Sequence, residues 1–157
     1  MDFLSGMLTA FGLGARRSEK VSDRRSEAFR LNAEVEAKLL RLDSYQKLER
    51  IKLANTLMTY MPNEVEALRS CEEYFEKLEQ DIAVGKQTVI NSNATISAGS
   101  SFAALQKWDE VIALLHRQSL AVDEQLVATT SIVEHFHSLL DQAIEELRAE
   151  GKEIHNE

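Results

Sequence analysis

Proline occurs once in this chain of 157 residues, at Pro62, and glycine six times. With so few breakers, and with Ala, Leu, Glu and Gln abundant, the composition favours long helices and disfavours a sheet, which needs frequent turns. Cysteine also occurs once, as Cys71, so no internal disulfide can form and nothing demands an oxidising compartment. Long hydrophobic runs are missing. The most apolar stretch, residues 1–15, would reach only about 20 Å as a helix, whereas a span must cross about 30 Å. A secretory signal is not expected either, because Asp2 precedes that stretch and the basic residues follow it.

Clustered positive charge is lacking as well. The net charge is −8, and no run of Lys and Arg is long enough for duplex phosphate, which excludes nucleic acid as the expected partner. The charge is unevenly spread. Residues 1–62 carry eleven Lys/Arg against eight Asp/Glu, 63–100 three against seven, and 101–157 four against eleven. A mildly basic front lying against acidic later helices accounts for this, with exposed pairs setting register more than stability.

Catalytic signatures are absent too. The chain holds no Gly-x-Ser-x-Gly elbow, no phosphate-binding glycine loop and no supported Cys–His pair, so it offers no catalytic residue. Metal chemistry fares no better. His135 and His137 lie roughly 200° apart around a helix, and Glu134 with His137 supplies a Glu-x-x-His spacing only once, where di-metal bundles use it twice. No metal and no cofactor is expected. His116, His135 and His137 are expected as partly exposed residues beside a helical seam. Adjacent acids such as Glu72–Glu73 and Glu145–Glu146 point apart and suit solvated faces.

What the chain does have is apolar periodicity. Across 101–149 the residues Leu105, Trp108, Ile112, Leu115, Val122, Leu126, Val133, Phe136, Leu140, Ala143 and Leu147 fall on one heptad frame, interrupted only by Ser119 and Thr129. Steps of three and four held for about six heptads predict one long amphipathic helix packed on others. Ser100 or Ser101 would cap its start, Gly151 would end it in the left-handed conformation, and 152–157 would form a loose tail.

A second helix is predicted over 26–60, on Ala28, Leu31, Val35, Leu39, Leu42, Tyr45, Leu48 and Ile51 and then Leu53, Leu57 and Tyr60. Its stripe drifts near 47–52, as expected of a helix wrapped by more than one neighbour. Pro62 ends it, and Asn63 with Glu66 resembles a capping box for a third helix over 64–90. That helix carries Val65, Leu68, Cys71, Phe75, Leu78 and Ile82, with Cys71 expected as a small core residue because its acidic neighbours disfavour a thiolate. Residues 85–101 are rich in Ser, Thr, Asn, Ala and Gly and nearly uncharged, which predicts a long loop, with 86–91 able to prolong the preceding helix.

The expected fold is therefore all-α: an elongated, antiparallel, coiled-coil-like bundle of three long amphipathic helices over 18–157. It is preceded by a short apolar N-terminal helix within a docking segment, 1–17. In that segment Phe3, Leu4, Met7, Leu8 and Phe11 form one apolar face and Arg16 and Arg17 follow, a pattern suited to a membrane interface or a partner's groove. The longest helix outreaches the middle one, so part of its seam is left for the first helix or another chain. The chain is expected to be a non-enzymatic assembly or adaptor protein, cytoplasmic and peripheral to a membrane at most, that self-associates or binds a helical partner. The alternative is a bundle that binds a small molecule in a pocket beside the 85–101 loop, lined by Ser119 and Thr129.

Overall fold

The computed structural model describes the backbone of residues 3–60, 63, 65–99 and 104–156 and the side chains of 21–60, 63, 66–99 and 104–151. Among these it is all-helical, with three helices packed on one another: α1 (Phe3–Tyr60), α2 (Val65–Ala98) and α3 (Leu105–Asn156). The separate short N-terminal helix is not shown, since the helical backbone runs from Phe3 to Tyr60 without a break. Pro62 and the predicted serine caps at 100 and 101 lie outside the described residues. Glu66 stands in the first turn of α2, where a carboxylate is favoured by the unpaired amide groups of the helix start.

Two departures from the sequence-based expectation concern where helices stop. Residues 85–98 are not a loop, because α2 runs on through Ala98. The physical reason lies in the buried positions, which continue the stepping of three and four from Cys71 and Phe75 through Leu78, Ile82, Gly85, Val89, Ser92 and Ile96. Two of these are the small residues Gly85 and Ser92, so the seam persists while its hydrophobicity fades. Gly151 does not terminate α3, which continues to Asn156, and no described glycine has a positive φ.

The contacts divide into two compact units: Met1–Lys38 with Gly85–Ala121, and Leu39–Val84 with Val122–Glu157. In the first, Ala28, Leu31, Val35, Ile96, Trp108 and Leu115 form a buried core. Arg25 Nη2 donates to the Ser97 carbonyl at 3.4 Å and Asn32 Nδ2 to the Val89 carbonyl at 3.2 Å, so α1 and α2 run in opposite senses there. Arg24 pairs with Asp109 at 3.2 Å and Lys38 Nζ donates to Ser119 Oγ at 2.9 Å, so α1 and α3 run in the same sense. The Arg25 guanidinium lies 5.7 Å from the Phe29 ring centroid and 5.9 Å from that of Trp108. The last turn of α2 holds no basic residue of its own, and Arg25 supplies the cation that its terminal carbonyls favour.

The second unit has a core of Leu39, Leu42, Leu53, Phe75, Leu78 and Val133 among others, with Cys71 buried beside them. Asp81 accepts from Gln125 at 3.4 Å and Tyr74 meets Thr129 at 2.9 Å, which gives α2 and α3 opposite senses within this unit.

Two glycines give opposite expectations. A Cβ on Gly99 would lie 2.6 Å from the Ala104 Cβ, an atom fixed to its backbone that cannot rotate aside, whereas one on Gly151 would meet nothing within 4 Å. Gly99→Ala should destabilise by about 1–3 kcal/mol through overpacking. Gly151→Ala should stabilise by up to about 1 kcal/mol, by helix propensity. Urea midpoints of the two variants moving in the same direction would contradict this account.

Candidate interaction surface on α1

Over residues 39–60 the polarity of α1 is partly inverted. The steps of three and four that carry its inward face run Leu39, Leu42, Gln46, Glu49 and Leu53, all buried except the half-buried Glu49. Gln46 is fully buried and Asp43 nearly so. Leu48 and Ile51, which the apolar pattern places in the core, are 53% and 61% exposed. The stripe does not drift, as its spacing suggests; it stays in register and changes chemistry.

The inward polar groups are held by specific partners. Gln46 Nε2 donates to Asp43 Oδ1 at 3.2 Å, while Gln46 Oε1 has no hydrogen-bond partner. Arg50 reaches α2 with both ends of its guanidinium, Nη2 to Glu72 at 2.6 Å and Nη1 to Glu79 at 3.1 Å. The hydrogen bond that Arg50 donates to Glu72 is the main influence raising the Arg50 pKa above its ordinary value. Glu49 meets the His137 Nε2 of α3 at 3.2 Å and lies 3.8 Å from Lys52. A planar guanidinium that bridges two carboxylates seven residues apart fixes the register of α1 on α2 more closely than an ammonium would.

On the opposite face the apolar side chains have no cover. Leu40, Leu48, Ile51 and Met58 are all more than half exposed, and with Ser44 and Asn55 between them they step by three and four along one side of α1. A single exposed leucine is unremarkable on a protein surface, but a continuous stripe on one helix is the form in which helices recognise one another.

Among the other predicted seam residues, Trp108, Ile112, Leu115, Val122, Val133 and Leu140 are buried, Leu105 and Phe136 are intermediate, and Leu126 and Leu147 are exposed. The docking residues Phe3, Leu4, Met7, Leu8, Phe11, Arg16 and Arg17 have side chains outside the described residues. The two polar positions assigned to a ligand pocket are engaged within the protein. Ser119 accepts from Lys38. Thr129 Oγ1 donates its one hydrogen to the Gln125 carbonyl at 2.6 Å, so the Tyr74 hydroxyl donates to Thr129. Among the described residues no group of three or more His, Cys, Asp or Glu could hold a metal ion, and no helix is long and apolar enough to cross a membrane.

Apolar periodicity alone counts Leu48 and Ile51 inward and so hides the α1 stripe. A signal was nonetheless there: Gln46 and Glu49 lie in phase with Leu39, Leu42 and Leu53, and Leu48 and Ile51 do not. Compared with known proteins, the chain matches no family model, no curated protein and no solved structure.

Cys71 lies on the buried face of α2, and its thiol is pushed up to about 11 from an ordinary 9.0, by burial first and the neighbouring Glu72 second, with Arg50 opposing. It stays protonated at pH 8, and iodoacetamide should alkylate it at least about tenfold more slowly in the folded protein than in urea. Equal rates in the two states would mean that the thiol is not held in the core.

Proposed function

We propose that this chain is a non-enzymatic helical assembly protein, in which the three-helix body presents the outer face of α1 to a helix of another chain. The observation that carries this reading is the stripe Leu40, Leu48, Ile51 and Met58, exposed at helical spacing opposite a buried seam that includes a fully buried glutamine. Covering such a stripe returns about 25 cal/mol for each Å² of apolar surface removed from water, whereas leaving it exposed returns nothing. A helix-in-groove or helix-on-helix contact reads such a stripe through anchors three and four residues apart.

The apolar segment that precedes the body, with Phe3, Leu4, Met7, Leu8 and Phe11 followed by Arg16 and Arg17, is assigned a second attachment, to an anionic membrane interface or a partner groove. This assignment rests on composition alone. An apolar helical face next to cations binds anionic headgroups by burial plus charge.

Sedimentation velocity across a wide concentration range tests the first part. The wild-type chain should gain mass as concentration rises, and Leu48→Ser with Ile51→Ser should keep it a monomer with unchanged helicity by circular dichroism. A wild type that stays monomeric throughout, or a double variant that associates as well as the wild type, would remove the α1 stripe from the assembly surface. For the second part, the full chain should float with vesicles containing anionic lipid while a chain starting at Ser18 should not; equal flotation of the two would reject the attachment role.

A further inference from the structure

We infer that the partner of the α1 stripe is a second copy of this chain, docked through the acidic outer face of α3 in the Leu39–Val84, Val122–Glu157 unit. The inference rests on the proposed role of the α1 stripe and adds the identity of what covers it.

Charge complementarity between the two faces is the main support. Every exposed residue of α1 from 40 to 60 is apolar, neutral or basic: Arg41, Lys47 and Lys52 rim the stripe and no carboxylate does. The two carboxylates of that stretch, Asp43 and Glu49, have side chains only 11% and 13% exposed, and they hold Lys47 and Lys52 from within the helix. On α3 the signs reverse. Its exposed residues from 123 to 150 include seven carboxylates and one arginine, Arg148, which lies 3.7 Å from Glu145.

Shape agrees with charge. On α3 the exposed residues Val127, Ser131, Glu134, Ser138, Asp141 and Glu145 step by four and three along one face. Its short side chains, Val127, Ser131 and Ser138, alternate along the face with the carboxylates Glu134, Asp141 and Glu145. The α1 stripe complements it, with large apolar residues along its centre and Arg41, Lys47 and Lys52 at its edges. Large side chains on one helix seat in the furrow left by small ones on another, and opposite rim charges fix the register.

The same comparison selects α3 over the other faces a second copy could offer. Two α1 stripes facing each other would bring Arg41, Lys47 and Lys52 against like charges, which costs affinity. On α2, Glu72 and Glu79 are already occupied by Arg50 of the same chain, and the exposed Glu73 and Glu76 share their face with the basic Arg69 and Lys77. A contact of α1 on α3 closes as a two-fold dimer where both pairs of faces meet at once; where only one pair meets, each copy retains one unused face of each kind and the assembly grows until a ring closes or a filament forms. Rim charges are screened by salt, with a Debye length of about 8 Å at 0.15 M and about 3 Å at 1 M, so association should weaken steeply between these conditions.

Complementary charge reversal in the full-length chain tests this by sedimentation velocity at low salt. One variant carries Arg41→Glu with Lys52→Glu, the other Glu134→Lys with Asp141→Lys. Each alone should need at least about tenfold more protein than the wild type to associate, a loss of about 1.4 kcal/mol. An equimolar mixture should regain association, because the reversed α1 of the first variant meets the reversed α3 of the second; misfolded variants would not recover on mixing. A mixture as weak as its components overturns the inference. Two reversed variants that both associate like the wild type, while Leu48→Ser with Ile51→Ser does not, would overturn the α3 partner and leave the α1 surface standing. A wild type monomeric at every concentration would overturn the self-partner and the stripe together.

Discussion

Three long helices stay in contact only if each returns a side chain to the shared seam every three or four residues, because a slip of one residue swings the stripe roughly 100° away from its neighbours. In this protein that geometric demand is met even where the residue at the seam is poorly suited to burial. Asn32, Gln46, Ser92 and Thr129 all occupy buried positions in phase with leucines and valines. Two of them leave an oxygen without a partner, Asn32 Oδ1 and Gln46 Oε1. Buried polar groups of this kind cost stability, and at seam positions their best-attested use is to fix register and pairing.

The polar seam also organises the electrostatics around it. Once Gln46 and Asp43 are inside, the neighbouring Glu49 and Arg50 lie at the edge of the core, and they meet α3 through His137 and α2 through Glu72 and Glu79. Over residues 40–60 the carboxylates of α1, Asp43 and Glu49, are drawn inward by this arrangement while Lys47 and Lys52 remain at the surface. The outward face of the helix is consequently both apolar and basic, a combination that composition alone would not single out. The same physics acts on Cys71, whose thiol is kept neutral by burial beside an acidic neighbour.

Much of the fold is legible in the sequence, and the misreadings share one cause. The heptad over 105–147 and the seam at Ala28, Val35, Leu39 and Leu42 announce long helices because apolar residues sit at the buried positions. Where the buried position is Gly85 or Ser92, hydrophobicity disappears although the spacing does not, and residues 85–98 pass for a loop. Where it is Gln46 or Glu49, the adjacent Leu48 and Ile51 compete for the stripe, and the surface they form on the outer face is mistaken for core. Gly151 failed as a stop signal for a different reason. A lone glycine weakens a helix by only about 1 kcal/mol and does not oblige the chain to turn.

The composition of residues 85–98 has a kinetic consequence. Gly, Thr, Ser and Asn are weak helix formers and several compete for their own backbone, so this part of α2 has little tendency to coil in isolation. Its helical state is imposed from outside, by the seam with Trp108 and its neighbours and by the Arg25 side chain that completes its final carbonyls. Helix here is therefore expected to form with docking rather than to nucleate it, and its amide protons to exchange more readily than those of residues 66–82.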